Sequence, residues 1–507
     1  MSSLSVALQQ ISKFRGSAPA LIDGRTGQEL TYAALLERLA RIGGFLRHGP
    51  PDGKLILSLL PDSLHQLIWF LGAVAHGRSF APLRPDISLQ EFENSIRVLK
   101  PALCLFEKQA RSELRHAAEQ AGVATLTLDA AESDDWTAGH SEEAFSSASG
   151  HLYLATSGTA NDVRTIVFDT ELLWKGAQAF CQSLNFLTSD TRLLGAVPMS
   201  YLGGLFNLTI VPLSVGGCAI PADPGFAARP AALVHEVRRH EANVLWLTPP
   251  QMASALLGAE RVPAADLKSF GREVRAVLVG MGTVSLRTKL KFEDLFGVPV
   301  LENYGLSETG LISSETLSSR NKRTDRSVGE ILPYMTIRCA PSTDRNISGA
   351  LTEILVRSPY PCLGYFDEEG LHPLATQGDG WIATGDLGHI DASSQLTLDG
   401  RLRDIIKTNG LLVRLRDIEK LAEEHPNVVE AAAAPREQSD GNETYQLFVV
   451  PTAGCDQSGL ATSIGELLRS QLPRHMWPQR IVAVADLPRT STGKVRKIAL
   501  SSDWFAS

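Results

Sequence analysis

The sequence predicts a multidomain α/β protein: a large N-terminal part with two α/β lobes plus a β-rich subdomain, followed by a small α+β C-terminal domain. Three observations carry that expectation. Short apolar runs alternate with helix-period segments twice, before and after a polar, acidic stretch at 129–150. Beyond Leu351 the pattern turns strand-rich, with turns at Gly378-Asp-Gly and Ala392-Ser-Ser. From about Arg401 a compact alternating unit of about a hundred residues closes the chain, a usual domain size.

In the first lobe, Ala20-Leu-Ile-Asp-Gly-Arg reads as a strand and tight turn, and a helix follows Leu30 with Thr31 placed to cap it. Lys54-Leu-Ile-Leu-Ser-Leu-Leu is a buried strand, 63–76 an apolar helix, and Phe80-Ala-Pro-Leu-Arg-Pro a strand leaving through prolines. Helix 91–99, strand 102–106, helix 108–121 and strand 123–128 continue the alternation. The second lobe resumes with a strand at His151-Leu-Tyr-Leu-Ala-Thr, helix 170–184, strand 191–197, helix 203–213, strand 217–220, helix 228–240 and strand 243–247. The C-terminal unit is expected to hold helix 415–424, strands 427–434 and 444–450, helix 459–471, strand 480–484 and a last helix from Val495.

Composition narrows the function classes. With 507 residues, 44% of them hydrophobic, the chain can build large cores, and disorder is excluded as its main state. The net charge of −8 gives no overall basic field for a nucleic acid backbone. Six scattered cysteines form no Cys-x-x-Cys pair and suggest a reducing compartment. The N-terminus has no signal-peptide pattern, and the apolar stretch Leu67 to Ala75 is half a membrane span, so a cytoplasmic protein without a transmembrane segment is expected.

Four polar loops carry possible chemistry. In Tyr153-Leu-Ala-Thr-Ser-Gly-Thr-Ala-Asn-Asp-Val-Arg-Thr, a strand runs into hydroxyls that can cradle phosphate oxygens, with Gly158 allowing close approach and Arg164 offering charge. A strand-to-helix turn without ligand would use the same residues, and the Walker spacing is missing. Asn303-Tyr-Gly-Leu-Ser-Glu-Thr-Gly follows the short strand Val298-Pro-Val-Leu. Its Tyr304 can stack on a purine and its Glu308 can hold magnesium, or it is an ordinary polar strand exit. In Trp381-Ile-Ala-Thr-Gly-Asp-Leu-Gly, Asp386 suits a pair of ribose hydroxyls, or a turn bond to its own backbone. In Leu487-Pro-Arg-Thr-Ser-Thr-Gly-Lys-Val-Arg-Lys, Lys494 can deliver a point charge to a distant anion, and a solvated basic loop would look similar. What the bland readings leave unexplained is four such loops in one chain.

Taken together, and in order along nearly the whole chain, these segments resemble the superfamily of adenylate-forming enzymes: acyl- and aryl-CoA synthetases, nonribosomal peptide adenylation domains and firefly-type luciferases. Thr156-Ser157-Gly158-Thr159 is similar to the family's phosphate loop, Asn303 to Thr309 to its adenine and magnesium motif, and Thr384-Gly385-Asp386 to its ribose motif. Gly400 to Gly410 resembles the hinge and the start of a mobile domain, and Pro488 to Lys494 the catalytic-lysine loop. The resemblance implies a large adenylation domain at 1–399, binding ATP and acid, and a small mobile domain at 400–507.

By position, the resemblance assigns adenine packing to Tyr304 within Asn303-Tyr304-Gly305, with Gly280-Met281-Gly282 lining the purine pocket. It gives the ribose to Asp386 with Arg401 close by, phosphate contacts to Thr156, Ser157, Thr159 and Ser307, magnesium to Glu308, and the hinge to Arg403. Lys494 would bridge the attacking carboxylate and the α-phosphate. Two departures stand out: Ala160-Asn-Asp-Val-Arg-Thr replaces the family's Thr-Gly-x-Pro-Lys-Gly continuation, leaving Arg164 as the candidate phosphate cation, and Tyr201 replaces a common histidine.

The implied reaction is ATP- and Mg2+-dependent activation of a carboxylic acid to an acyl adenylate, followed by transfer to a thiol, making the protein an AMP-forming acid–thiol ligase. No acidic residue lies between Thr191 and Asp223 to hold a substrate amine, so a fatty or aromatic acid is expected over an amino acid. Its pocket would include Tyr201, Gly204, Leu205, Leu208, Trp246, Leu278, Met281 and Leu306. The thiol belongs to coenzyme A or to a phosphopantetheinylated carrier protein, the carrier being slightly preferred; the basic group Arg414, Arg416, Arg469, Arg474, His475 and Arg480 with Trp477 suits either. The alternative is a catalytically degenerate member that binds nucleotide or acyl adenylate as a regulatory or scaffold protein.

Overall fold

The structure, a computed structural model, describes residues 3–48, 54–128, 145, 150–155, 165–341, 351–408, 411–437, 443–452, 454–455, 458–489 and 495–501. The chain divides into two compact units, one of 1–156, 164–336 and 357–382, the other of 157–163, 337–356 and 383–507.

Two sheets organise the first unit. One runs, in spatial order, Gly370–Pro373, Gly364–Asp367, Thr165–Asp169, His151–Ala155, Ser79–Pro82, Leu55–Ser58, Leu103–Glu107 and Ala124–Leu128. The last five of these pair in parallel and the first three are added antiparallel. The apolar stretch noted in the sequence lies in the helix Leu64–Ala75, buried at every residue but His65 and started by the Ser63 hydroxyl, which accepts the Gln66 N–H. Among the described residues no helix is long and apolar enough to cross a membrane.

The second sheet of this unit runs Ser327–Ile331, Gly310–Ser314, Val300–Leu306, Ala276–Val279, Val244–Leu247, Arg192–Gly195, Cys218–Pro221, Pro19–Ile22 and Glu29–Thr31. Val300–Leu306 through Pro19–Ile22 are parallel, and antiparallel strands close both ends. Side chains alternate across its strands, so Leu245, Leu247, Val277, Val279 and Val300 enter one core with Phe270, Phe292 and Phe296. Trp246 and Leu278, partners in register, point to the opposite face.

Helices at Ser3–Arg15, Pro249–Leu256, Ala264–Glu273 and Leu286–Phe296 add to those expected from the sequence. The helix expected over 203–213 instead winds wide over Gly203–Ile210 and tightens at Val211–Ser214. A Cβ on Gly204 would lie 2.4 Å from the Pro198 carbonyl oxygen, so only glycine lets the preceding turn sit this close.

In the second unit, Thr336–Pro341, Thr352–Arg357, Ile382–Ile390 and Gln395–Arg401 lie side by side. A hairpin of Ile405–Thr408 and Leu411–Arg414 follows. The three-stranded sheet Val428–Glu437, Glu443–Pro451 and Arg480–Ala483 then packs with the helices Leu415–Glu423 and Leu460–Gln471 around Ile418, Leu447 and Ile464. The strand-rich stretch beyond Leu351 is thus divided: Gly364–Asp367 pairs with Thr165–Asp169, while Ile382–Ile390 pairs with Gln395–Arg401.

Inside the first unit lies a buried ionic chain. Lys289, 1% exposed, donates to Glu302 Oε2 at 2.8 Å and to Glu315 Oε1 at 2.6 Å. Arg323 stands 3.6 Å from Glu315 and forks onto Glu293 at 2.9 and 3.2 Å. Two cations therefore face three carboxylates, and one proton would balance the count. Burial pushes the Glu302 carboxyl up to about 7, with Lys289 pulling it back and Glu315 adding to the rise. Burial also opposes the Lys289 ammonium, yet Glu302 and Glu315 together hold its pKa above the ordinary value.

A carboxyl raised in the native state contributes stability below its unfolded value near 4.5, and that contribution is lost as pH rises through about 7. Melting temperature should therefore fall between about pH 5 and 8, and Glu302→Gln should flatten that fall when both proteins are followed by circular dichroism. Parallel pH profiles for the two would show that Glu302 does not take up the proton.

Candidate active site

The first unit places the residues expected at adenine on adjoining segments. Val300–Leu306 carries Asn303 and Tyr304, both buried, and Gly280 to Gly282 leave the end of the neighbouring strand Ala276–Val279. The Asn303 amide nitrogen donates to the Val279 and Leu301 carbonyls at 3.4 and 3.2 Å, and its oxygen accepts the Ser314 hydroxyl at 2.8 Å. These bonds hold the strand exit against both neighbours. A Cβ on Gly280 would come within 3.4 Å of the Asn303 carbonyl oxygen and 3.6 Å of Trp246 Nε1. Met281 takes φ +68°, a left-handed conformation that strains a side chain with a Cβ, and strain of this kind gathers at ligand-holding loops.

Gly305 is fixed by a different demand: its Cβ would lie 2.5 Å from the Gly310 carbonyl oxygen across the hairpin. Leu306, half-buried, ends the strand, and Ser307 and Glu308 occupy the turn that follows. Glu308 is held from two sides. Tyr365 donates its hydroxyl to Oε1 at 2.6 Å, and the Cys362 N–H donates to its backbone carbonyl at 3.0 Å. Burial pushes the Cys362 thiol up to about 12, and the Glu308 charge adds to the shift, so this thiol stays protonated. A single anchored carboxylate matches magnesium chemistry, since the ion is usually held by one or two carboxylates together with substrate phosphates and waters.

The expected acid-pocket residues lie in the same unit. Tyr201 sits in the turn before the wide helix, its N–H donated to Pro198 O at 3.0 Å. Asp62 accepts the Met199 N–H at 2.8 Å, and burial raises its carboxyl. Gly204, Leu205 and Leu208 are buried on the wide helix, and a Cβ on Gly203 would meet Met281 Sδ at 2.8 Å. Leu208 also closes on Gly195, whose Cβ would lie 2.5 Å from Leu208 Cδ2. Trp246 packs its ring 6.0 Å from Phe180, is fully buried, and its Nε1–H finds no acceptor among the described residues. Tyr201's neighbourhood, Gly204, Trp246 and Met281 are thereby gathered around the end of one sheet.

In the second unit, Asp386 and Arg401 are direct partners across the strand pair Ile382–Ile390 and Gln395–Arg401. Asp386 is 3% exposed, and its Oδ1 takes Arg401 Nε at 2.8 Å. Gly385 before it has φ +69°, its N–H donating to Glu353 Oε1 at 3.2 Å, while Thr384 Oγ1 accepts the Asp386 N–H at 3.0 Å. The carboxylate is thus aimed by a turn and a guanidinium. Arg403 lies in the short turn Leu402–Asp404 and is exposed. Lys497 joins Asp404 to Glu419 at 3.3 and 2.8 Å. Thr156, Ser157, Gly158, Thr159, Arg164 and Lys494 lie outside the described residues.

The sequence reading missed the residues behind the purine strand. A signal was present: Lys289 occupies the apolar stripe of its helix with Phe292 and Phe296, and Glu302 continues the run Val298 to Leu301. A charge on each of two core-facing patterns points to a buried pair.

Similarity to known proteins extends over most of the chain. The profile of the family described as AMP-binding enzyme matches residues 8–366, and that of the AMP-binding enzyme C-terminal domain matches 417–494. Indoleacetate–CoA ligase of Aromatoleum aromaticum is 26% identical over 487 residues, covering 93% of this chain and 92% of its own. Among solved structures, ATP-bound MatB from Rhodopseudomonas palustris superposes with a TM-score of 0.85 at 24% identity, covering 100% of this chain and 99% of that one. A benzoate CoA ligase from Burkholderia xenovorans superposes at 0.83 with 20% identity, over 99% of this chain and 100% of that one. At these identities the superpositions establish the fold, and the profile matches establish the family. The chain belongs to the AMP-binding enzymes, within the adenylate-forming superfamily.

Proposed function

We propose that this chain is an AMP-forming ligase that activates an aromatic monocarboxylic acid and passes the acyl group to the thiol of coenzyme A. The observation that carries the reading is Glu308, fixed by Tyr365 immediately after the Asn303–Tyr304 strand exit, in a chain matched by the AMP-binding profile across 8–366. A carboxylate oxygen of the acid attacks the α-phosphorus of ATP, the bond to the bridging oxygen breaks, and pyrophosphate leaves. The thiol sulfur then attacks the acyl carbonyl carbon, AMP leaves as the C–O bond breaks, and the thiol proton passes to solvent. Tyr304 packs on adenine, Asp386 with Arg401 takes the ribose hydroxyls, and Lys494 offsets charge on the entering carboxylate. Arg164 supplies the phosphate-loop cation that a lysine would otherwise give. Glu308 would hold magnesium, which would supply charge neutralisation for the departing phosphates.

For the acid, the wall residues Tyr201, Gly204, Leu205, Trp246, Met281 and Leu306 offer no cation to a second carboxylate, which disfavours a dicarboxylic acid. The Trp246 indole N–H favours an aromatic acid with a ring acceptor over a plain fatty chain, because a buried donor gains most from a substrate that satisfies it. For the thiol, relatives that align over 92 to 94% of this chain are named as CoA ligases for indoleacetate, oxalate and another acid. In the second unit, Arg469 lies 5.7 Å over the Trp477 ring, and Arg474 and Arg480 lie three residues to either side of that tryptophan in sequence, a basic and aromatic set suited to the phosphates and adenine of coenzyme A.

The test is pyrophosphate exchange over a panel of acids with magnesium, followed by mass detection of thioesters on coenzyme A and on phosphopantetheinylated carrier proteins. Lys494→Ala should lower exchange by about a hundredfold or more while sparing thioester formation from supplied acyl adenylate. No exchange by the native chain with any acid would favour the degenerate nucleotide-binding reading. Among accepted acids, a ring methoxy or hydroxyl should raise kcat/KM about tenfold over the methyl isostere, and Trp246→Phe should erase that preference. An unchanged preference in Trp246→Phe would remove the indole from the acid site.

A further inference from the structure

We propose that the buried fork of Lys289 onto Glu302 and Glu315 sets the geometry of the purine-binding segments, making Lys289 and Glu302 positioning residues for ATP. The inference rests on the reading that Gly280 to Gly282 and Asn303–Tyr304 hold adenine.

Lysine is not what packing alone would select here. Position 289 shares its helix face with Phe292 and Phe296 inside an apolar core, and replacing a buried ion pair by apolar groups is often neutral or stabilising. What the ions supply that leucine would not is directional bonding to backbone. Glu302 Oε1 accepts the Val284 N–H at 3.3 Å, two residues beyond Gly282. Glu315 Oε2 accepts the Glu302 N–H at 2.9 Å, and the Glu315 N–H returns to the Glu302 carbonyl at 2.8 Å. The two carboxylates gripped by Lys289 therefore hold the glycine segment, the purine strand and the residue following the return strand Gly310–Ser314 in one bonded set.

The far end of the ionic chain clamps the same strand at its base. Arg323 donates to the Val300 carbonyl at 3.0 Å, and Glu293 Oε1 accepts the Val300 N–H at 2.9 Å. Residues 300 and 302 are thus both fixed through their backbones or side chains on one side. Asn303, the next residue, turns to the other face and bonds to Val279 and Ser314. Glu302 and Val279 are register partners, so a shift at Glu302 moves both Asn303–Tyr304 and the start of the glycine segment. None of the five charged groups is assigned a contact with nucleotide; they act through the strand.

The experiment compares Lys289→Met, the double variant Lys289→Met/Glu302→Met, and Glu302→Gln with the native chain. The double variant removes the lysine together with a carboxyl partner, leaving Arg323 facing Glu315 and Glu293, and the thermal stability it recovers over Lys289→Met separates folding from positioning. For all folded variants, KM for ATP, KM for the acid and kcat are measured by pyrophosphate release, and AMP affinity by calorimetry. The expected result is a rise in KM for ATP, and a loss of AMP affinity, of at least about tenfold in the two methionine variants. The acid KM should stay within about twofold, and Glu302→Gln should give a smaller rise in the same direction. A folded double variant with native KM for ATP and native AMP affinity would overturn the proposal, as would equal losses for ATP and acid. If neither methionine variant folds, Glu302→Gln decides: unchanged AMP affinity overturns the proposal. AMP binding is read without any acid, so absence of acid turnover in the native chain would count against the ligase reading and leave this result standing.

Discussion

The Lys289 ammonium, bonded at once to Glu302 and Glu315, is the contact on which the better-defined half of the site depends. A parallel strand gains most of its stability from apolar burial, which is non-directional and tolerates small slides. Buried ions do not tolerate them, because a lost partner leaves a charge in a low-dielectric interior. By routing two carboxylate-accepted bonds and one backbone bond through the backbones of 284, 302 and 315, the first unit converts a soft apolar layer into a fixed edge. The left-handed Met281 and the close approach at Gly305 are then held in place by that edge.

The side proposed to face the acid is built on another principle. The wide-wound helix Gly203–Ile210 and the glycines at 195, 203 and 204 bring backbone and side chains from three segments into contact distances that any Cβ would violate. Such a wall is shaped by missing atoms, and Trp246 Nε1 is a buried donor on it without an acceptor among the described residues. Selectivity for the acid would accordingly come from fit and one directional donor, with discrimination against a second charge coming from the lack of any cation among the wall residues.

Asp386 and Arg401 show the economy of a register pair. Being opposite each other in an antiparallel ladder, they need no long-range packing to meet, and the left-handed Gly385 precedes the carboxylate within the strand. The proposed ribose contact is therefore compact in sequence, whereas the proposed purine side is assembled from segments spanning 279 to 323.

The sequence by itself determined the class of fold, many of the strands and helices of both lobes, and the local motifs around Asn303–Glu308 and Thr384–Asp386, because each rests on hydrophobic period or on turn chemistry within a few residues. It also carried, unread, the capping box of Thr248 and Gln251 and the lysine on the apolar stripe at 289. Only the tertiary structure decided that Gly364–Asp367 joins the strand Thr165–Asp169, that 203–210 winds wide, and that Lys289 meets Glu302 and Glu315. Those outcomes depend on contacts between segments far apart in the chain, where close approach and shared burial fix the partner and no local preference records it.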